Sequence, residues 1–532
     1  MKVFNYISAF LLAGAAIVVS CSQNEEMEGM ESSQNFQINV FDGGYQNIDA
    51  VGTRAAEKDY STEFVTGDAI GVFAVKNGTV VEDINNRRFV MDDGIWELND
   101  DGEVISYKAN EFERMKFYAY YPYSEDATFD PSKEDPFETY VKDWKIGNDQ
   151  NENYTKYDLM TSKGEVQGDR LKGKIAFTMQ HRMALAVIQM PEIVYSFTNE
   201  PAIDDYKLPV TVGDFNVDGV PAKPFYQEST DAYRFLVKPS MTFAITGSYT
   251  GVKEMNYEIK KTLEGGTAKK YVIEDPNKIS HLLAVGDYYC ADGKIVSASE
   301  SAPANAIGVV FYAGNPQPSV THPEKYNSDN DALKRFGAGC CTHGLVLALK
   351  NANEDRIRFG EDKKNYSDFM SDEDKESYVS PVAGKDDTVI PGFMGYNNTV
   401  LMEMAAEQSY GGAAQNAITN LESYREAISV PAVATPWFLG STEELKTVKA
   451  ALANINKSIE KAGGTLLVAS DITGIAVGNK DGDTTFYWTS TERNSDWVWC
   501  NSMGTANNDS SGSGRASRKD GSKGWFRLSL AF

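Results

Sequence analysis

The chain has 532 residues, of which 42% are hydrophobic and 24% charged, and this globular composition predicts three to four domains at roughly 150 residues each. Acidic residues outnumber Lys and Arg by 76 to 51, and the net charge of −25 argues against nucleic acid or an anionic membrane surface as the main partner. With only four histidines, a His-rich metal site is close to excluded and a histidine general base has few candidates.

The N-terminus is typical of an export signal. Lys2 precedes an apolar run over residues 7–19 that is too short to cross a bilayer. The run ends in Val18-Val19-Ser20-Cys21, which resembles a bacterial lipobox, so residues 1–21 are predicted to be a lipoprotein signal peptide with Cys21 acylated, for example with palmitate. Ordinary signal cleavage beside a bystander cysteine is the alternative. Residues 22–35 form an acidic tether, and no later segment is apolar for long enough to span a membrane.

The remaining cysteines are Cys290, Cys340, Cys341 and Cys500. Four cysteines allow three pairings. A bond from Cys340 or Cys341 to Cys500 would join the two ends of the last domain, and free thiols are an equally reasonable alternative. No C-x-x-C spacing is present, so neither zinc nor thioredoxin-like chemistry is indicated.

Alternating apolar and polar segments separated by turns predict a β-sandwich over residues 36–162. Its strands are expected at 36–40, at 69–74, around Trp96 and at 115–121 before Pro122. A second β-rich region is expected over 163–283, with strands at 175–188, 234–237 and 241–245. Its His181 stands among apolar residues and is predicted to be a hydrogen-bonded core residue, not a catalyst.

Residues 1–283 resemble the fimbrillin family of Bacteroidetes pilus proteins. The resemblance is carried by the lipobox and tether and by Thr53-Arg54-Ala55, Phe64-x-x-Gly67-Asp68-x-Ile70-Gly71-Val72-Phe73, Phe117-Tyr118-Ala119-Tyr120-Tyr121-Pro122, Asp158-Leu159-Met160 and Phe177-x-x-x-His181-x-Met183-Ala184. It implies two transthyretin-like β-sandwiches. In polymerising members, cleavage after an Arg near the N-terminus removes a strand, and a strand of another subunit fills the groove. Arg54 stands where such a cut would fall, and a solvated loop Arg is an equally weighted alternative.

Residues 284–532 change character and predict an α+β domain. Strands are expected at 307–312 and 343–349, and helical patterns cover 399–407 and 413–428. Another helix is expected from a capping box of Ser441 and Glu444 to about Lys461, ending at Gly463-Gly464.

The last segment combines aromatic strands with a long polar run. Strands at 486–492, 497–500 and 525–532 enclose residues 501–524, which are mostly Asn, Ser, Gly, Asp, Thr, Ala, Lys and Arg. A polar loop held between aromatic strands favours a binding surface. An ordinary surface hairpin is the alternative.

This domain resembles the C-type-lectin-like module of formylglycine-generating enzymes and of retroelement-diversified binding proteins. The matching segments are Ile307-Gly308-Val309-Val310-Phe311, His343-Gly344-Leu345-Val346, Gly395-Tyr396-x-Asn398-Thr399, Trp437-x-Leu439-x-Ser441-x-x-Glu444-Leu445, Tyr487-Trp488-Thr489-Ser490-Thr491-Glu492 and Arg527-Leu528-x-Leu530-Ala531-Phe532. The resemblance implies a ligand-binding loop that comprises Asn494, Ser495, Asp496, Asn501, Ser502, Asn507, Asn508, Asp509, Ser510, Ser511, Ser513 and Arg515. The calcium and sugar motifs Glu-Pro-Asn and Trp-Asn-Asp are absent, and no metal or cofactor is expected.

The sequence as a whole therefore predicts a mainly β multidomain protein, with two transthyretin-like β-sandwiches followed by an α+β C-type-lectin-like domain. The favoured function is a non-enzymatic cell-surface adhesin at a pilus tip, because the last strand is committed to closing its own domain. Its partners would be other pilus subunits, by strand donation, and a host or bacterial glycan or protein, with the outer membrane reached through the lipid. A lipid-anchored receptor outside any pilus is the alternative, and a formylglycine-generating enzyme is disfavoured because adjacent cysteines fit its redox pair poorly.

Overall fold

The computed structural model describes residues 37–47, 60–99, 112–164, 166–167, 174–337, 340–383, 390–408, 411–468, 486–503 and 515–532. These residues form two compact units and are mainly β, as predicted. The first unit comprises the described residues up to Gln189 with Asp214–Gly247 and Tyr257–Val272, and the second comprises Met190–Gly213, Ser248–Asn256 and Ile273–Phe532. No helix within the described ranges is long and apolar enough to cross a membrane.

A nine-stranded sheet dominates the first unit. In spatial order its strands are Thr79–Val80, Ala69–Lys76, Arg87–Asp92, Ile95–Leu98, Gln37–Asp42, Lys174–His181, Met160–Ser162, Lys116–Tyr121 and Val166–Gln167. Ala69–Lys76 also pairs with Lys116–Tyr121, so the strand pairings close into a ring. Gln37–Asp42, called the N-terminal strand below, occupies one place in this ring.

The N-terminal strand lies between two strands that are far from it in sequence. It pairs in parallel with Lys174–His181 over six residue pairs, from Gln37 opposite Lys174 to Asp42 opposite Met179. On its other side it meets Ile95–Leu98 in antiparallel orientation through the pair Ile38 and Trp96. Ile38 is buried in the core that this sheet encloses, whereas Gln37 and Asn39 are exposed, which is the alternation expected of a strand with one buried face.

A five-stranded sheet completes the first unit. Its strands, in spatial order, are Phe225–Gln227, Ala232–Val237, Ala184–Gln189, Thr267–Val272 and Gln46–Asn47. A second, aromatic-rich core lies beside it and includes Tyr45, Phe73 and Tyr120. The helices of this unit are short: Glu138–Asp143, Tyr154–Tyr157 and the 3-10 turns Glu82–Ile84 and Glu228–Thr230.

The apolar run at 175–188 is two strands, Lys174–His181 and Ala184–Gln189, and they belong to different sheets. The chain leaves the first sheet at Arg182, whose amide donates to the Leu159 carbonyl. The predicted boundary between residues 162 and 163 therefore cuts the nine-stranded sheet, because it would separate Lys174–His181 from the N-terminal strand.

A four-stranded sheet has, in spatial order, the strands Val220–Ala222, Thr211–Val217, Thr242–Thr250 and Glu254–Thr262. The second unit contains a three-stranded sheet of Tyr206–Pro209, Glu192–Phe197 and Lys278–His281. It also contains a six-stranded sheet in the order Ile295–Val296, Tyr288–Cys290, Ala306–Ala313, Gly344–Ala348, Leu528–Ala531 and Phe438–Leu439. A final three-stranded sheet joins Tyr487–Asn494, Trp497–Asn501 and Arg515–Arg518.

The three helical segments predicted for the second unit are present, together with short helices that were not predicted. The helices are Pro318–Thr321, Ala332–Phe336, Asp372–Ser377, Gly395–Glu407, Gln415–Ala427, Thr442–Ala450 and Leu452–Lys461, with 3-10 turns at Tyr366–Phe369 and Gly411–Ala413. The capping box of Ser441 and Glu444 is present, and Gly463, at φ +68°, ends the last helix as expected of a residue free to adopt the left-handed region. The single helix predicted from Ser441 to Lys461 is interrupted at Ala451.

Candidate functional site

The first candidate site is a buried ionic cluster at the end of the N-terminal strand, formed by Asp42, Tyr45, Asp158 and His181 and called the His181 cluster below. His181 Nδ1 lies 3.0 Å from a carboxylate oxygen of Asp158, and its Nε2 lies 3.0 Å from a carboxylate oxygen of Asp42. Tyr45 stacks on the imidazole with ring centroids 3.8 Å apart and donates its hydroxyl proton to Asp158 at 2.7 Å. The imidazole is thus enclosed by two carboxylates and one aromatic ring.

The two carboxylates hold His181 in its charged form. Burial alone would lower the pKa of His181, but the charges and hydrogen bonds of Asp158 and Asp42 outweigh it and raise the pKa from 6.5 to about 9. The pKa of Asp42 is lowered: burial opposes this shift, but His181 and the backbone amides of Thr62 and Gly44 outweigh it. Both shifts favour a full ion pair at neutral pH.

The His181 cluster fixes the end of the N-terminal strand. Asp42 is the last residue of that strand, and Gly43 N donates to Met179 O at 2.8 Å immediately after it. A Cβ at Gly43 would lie 2.7 Å from the same carbonyl oxygen, so any side chain there would force the two strands apart. Arg54, the predicted cleavage site, and Cys21, the predicted lipidation site, lie outside the described residues.

The prediction that His181 is a hydrogen-bonded core residue is confirmed, since it is 3% exposed and bonded on both nitrogens. Its carboxylate partners were not predicted. Asp158 belongs to the segment Asp158-Leu159-Met160 of the family resemblance, but nothing in the local sequence pairs Asp158 or Asp42 with a histidine. The available signal was that a buried histidine in an acidic chain needs hydrogen-bond acceptors.

The second candidate site is the terminal hairpin, defined as strands Tyr487–Asn494 and Trp497–Asn501 with the third strand Arg515–Arg518. Aromatic side chains anchor it: Trp488 is fully buried and donates from its indole nitrogen to Ile357 O at 3.0 Å. Across the strands, the Thr489 hydroxyl donates to Trp499 O at 2.8 Å. The hairpin is therefore rigidly attached to the body of its unit at its base.

A buried ion pair connects the first strand of the terminal hairpin with the residue after its third strand. Lys519 and Glu492 are both fully buried, and the ammonium group of Lys519 contacts the Glu492 carboxylate. That carboxylate also accepts from Tyr366 N at 3.0 Å and from the Ser367 hydroxyl at 3.1 Å. Burial raises the pKa of Glu492, and Lys519 opposes the shift. The pair ties the first strand of the hairpin to the chain that follows its third strand.

Only part of the predicted ligand-binding loop lies within the described residues. Asn494 is exposed at the turn of the hairpin, and Ser495, Asp496 and Ser502 are partly exposed. Asn501 is 2% exposed, which contradicts its predicted place on the surface, because both faces of its strand are covered. Arg515 begins the third strand opposite Cys500, while Asn507, Asn508, Asp509, Ser510, Ser511 and Ser513 lie outside the described residues.

The cysteines show one close approach. Cys340 Sγ lies 2.8 Å from Cys341 Sγ and donates to Val433 O at 3.1 Å. Among the described residues no disulfide joins Cys340 or Cys341 to Cys500, so the predicted pairing is not found in the structure. Within the described part of the chain, no group of three or more His, Cys, Asp and Glu side chains is arranged to hold a metal ion.

Comparison with known proteins identifies relatives over nearly the whole chain. A family model described as "Fimbrillin-like" matches residues 53–284. A Bacteroides ovatus protein named "Putative fimbrium tip subunit Fim1C" is 31% identical over 519 residues, which cover 91% of each chain. The crystal structure of a fimbrial protein from Bacteroides ovatus has 27% identity and a TM-score of 0.61, and covers 94% of this chain and 99% of that one.

The His181 cluster predicts a specific dependence of stability on pH. Because the pKa of His181 is raised by folding from 6.5 to about 9, its contribution is complete below pH 6.5 and is lost as pH rises through 9. The shift corresponds to about 3 kcal/mol. Tyr45 and Tyr154 also face the cluster, but burial raises both of their pKa values, so neither titrates in this range.

The measurement is urea unfolding followed by circular dichroism between pH 6 and pH 9.5. Relative to the wild-type chain, His181→Asn is expected to lose most stability at pH 6 and least at pH 9.5. The matched control is His322→Gln, since His322 is half-buried and bonded through Nδ1 to the Thr321 hydroxyl at 3.1 Å. An equal loss for His181→Asn at both pH values would contradict the assignment.

The buried pair beneath the hairpin gives a second prediction. Lys519→Met leaves the Glu492 carboxylate buried without its cation and is expected to reduce the free energy of unfolding by about 3–5 kcal/mol. The double variant Glu492→Gln/Lys519→Met removes the unpaired charge and should recover more than half of that loss. Urea unfolding of both variants measures the two losses in the free energy of unfolding. A double variant as unstable as Lys519→Met would show that lost packing, and not the unpaired charge, causes the loss.

Proposed function

The chain belongs to the fimbrillin-like family, and on that premise we propose that it is a fimbrial adhesin, placed at the tip of the filament and displayed on the cell surface. The name of the Bacteroides ovatus relative supports the tip position, as that protein is 31% identical and matches along nearly its full length. The role proposed here is structural and adhesive, without catalysis.

The observation that carries the proposal is the placement of the C-terminal strand. Leu528–Ala531 lies between Gly344–Ala348 and Phe438–Leu439 in the six-stranded sheet, and each of its residues is buried. The carbonyl of the last residue, Phe532, accepts from His343 N at 2.9 Å. A strand held in this way is not available for donation to a neighbouring subunit, which supports a position that accepts a strand.

The groove that accepts a strand of the next subunit is proposed to be the one that the N-terminal strand occupies. Cleavage after Arg54 would separate Gln37–Asp42 from the rest of the chain, and its departure would open the ring between Ile95–Leu98 and Lys174–His181. The exposed edges present main-chain donors and acceptors to which a strand of the next subunit can bind. Before this step, Cys21 is proposed to carry the lipid that anchors the chain to the outer membrane.

The finer architecture is also proposed from the resemblances in the sequence. The β-sheets up to residue 283 would correspond to two transthyretin-like sandwiches, and residues 284–532 to a C-type-lectin-like domain. In that domain the exposed turn of the hairpin, with Ser495 and Asp496, would contact a glycan or protein ligand. The deep attachment of the hairpin through Trp488 and Glu492 supports this, since a binding loop needs a rigid base.

The tip position predicts a specific labelling pattern. Immunogold microscopy with antibody against residues 284–532, on whole cells and sheared filaments, should label single filament ends. A chain carrying Arg54→Gln should be absent from filaments and remain in the membrane fraction, because the N-terminal strand is retained. Lys58→Gln, which removes the next positive charge along the chain, should behave as wild type.

Label along the filaments would contradict the terminal position. Label confined to the cell envelope in the wild-type strain would favour the alternative, a lipid-anchored receptor that is not assembled into a pilus.

The proposed ligand surface predicts a local effect of two side chains. Ser495→Ala/Asp496→Ala is expected to weaken binding of the purified full chain to immobilised mucin and to glycan arrays at least fivefold, about 1 kcal/mol, as loss of central interface contacts does. The matched control is Ser328→Ala/Asp329→Ala, the same pair of residue types in another exposed turn of the same unit. Equal binding by the two double variants would place the ligand elsewhere.

A further inference from the structure

We propose that His181 selects the incoming subunit by charge: the strand that replaces Gln37–Asp42 must carry a carboxylate at the position of Asp42. This inference rests on the proposed removal of the N-terminal strand, and it names the chemistry of the partner strand. The partner is identified by an alternating pattern, apolar at the positions of Ile38 and Val40 and acidic at the position of Asp42.

Departure of the N-terminal strand leaves two hydrogen-bond donors in the groove without their acceptor. The Asp42 side chain is 4% exposed, and its carboxylate accepts from His181 Nε2 and from the backbone amide of Thr62. Both donors belong to chain segments that stay after a cut at Arg54. Removing Asp42 would leave the imidazolium with Asp158 as its remaining carboxylate and the partly buried Thr62 amide without this acceptor, which is costly.

Three side chains of the N-terminal strand point inward, toward the core. Ile38, Val40 and Asp42 alternate along the strand and share its inward face; Ile38 is 4% exposed and Val40 packs on the same core. Phe41, on the other face, is 57% exposed. Sequence selection can therefore act at positions 38, 40 and 42: the first two pack on the apolar core, and the position of Asp42 faces the charged His181.

An asparagine amide at position 42 does not replace the carboxylate of Asp42. One oxygen of Asp42 accepts from Gly44 N at 2.8 Å and lies 3.0 Å from His181 Nε2, and the other accepts from Thr62 N and lies 3.2 Å from the same nitrogen. Both oxygens are therefore acceptors. In Asn one of these atoms becomes an NH2 donor that faces another donor, so the side chain loses a hydrogen bond as well as its charge.

The test uses the full chain with a site-specific protease sequence in place of residues 53–56. After cleavage, the probe is a fluorescent twelve-residue peptide with the sequence of residues 36–47, and its binding is followed by anisotropy. Peptides with Asp42→Asn and Asp42→Ala are compared with the parent peptide on the same cleaved chain. The matched control is Asn39→Ala, at an exposed position of the same strand.

The expected result is that both Asp42 peptides bind at least tenfold more weakly than the parent, while the Asn39→Ala peptide stays within twofold. In a chain that also carries His181→Gln, the preference for Asp over Asn should fall below threefold. Because that variant could fail to fold, the peptide comparison on the unaltered chain stands as the primary measurement.

The failures are distinguishable. If parent and Asp42→Asn peptides bind equally well, His181 does not select by charge, and the proposed strand replacement remains. If no peptide binds after cleavage, with the original fragment removed by urea and the chain refolded, the groove itself is absent, and strand replacement fails together with the inference built on it.

Discussion

The first unit depends on a buried histidine held between two carboxylates. The N-terminal strand pairs in parallel with Lys174–His181, and parallel neighbours cannot be joined by a tight turn that would fix their alignment. Asp42 and His181 are 139 residues apart in the chain. Their contact supplies the fixed point that a hairpin turn would otherwise give, and it does so at the position where the strand ends.

The second unit applies a comparable constraint at the other end of the chain. Leu528–Ala531 is flanked on both sides by strands from distant parts of the sequence, and the preceding Arg527 is fully buried, donating to Ala348 O at 3.1 Å. Both terminal strands are thus interior strands: the C-terminal strand has three pairs on one side and two on the other, and the N-terminal strand has six pairs with Lys174–His181 but a single pair with Ile95–Leu98. The single pair on the side of Ile95–Leu98 supports the proposal that the N-terminal strand is the one replaced.

Local patterns in the sequence predicted many of the strands and helices, but they did not predict contacts between residues that are distant in the chain. The Gly67-Asp68 turn signal located Ala69–Lys76, a run of aromatic residues before Pro122 located Lys116–Tyr121, and the Ser441–Glu444 pair located a helix start. Each of these signals lies within a few residues. The run at 175–188 hid a change of sheet at Arg182, because the alternating residues 175–181 and the continuously buried residues 183–188 follow each other without a turn signal. The Asp42–His181 and Glu492–Lys519 pairs were invisible because nothing local requires either partner. Asn501 was misplaced since its strand is covered on both faces.

The charge at His181 also governs strand register. A parallel strand with aliphatic residues at alternate positions could shift by two residues and still place apolar side chains in the core, because its period is two. Such a shift would move the carboxylate of Asp42 away from the imidazole and leave His181 with Asp158 as its remaining carboxylate partner. The lost ion pair costs free energy that the apolar contacts, which are equivalent in both registers, do not. A single acidic residue at the end of the strand therefore specifies alignment as well as identity. Any strand that takes this place meets the same requirement, since His181, Asp158 and Thr62 belong to the groove and not to its occupant.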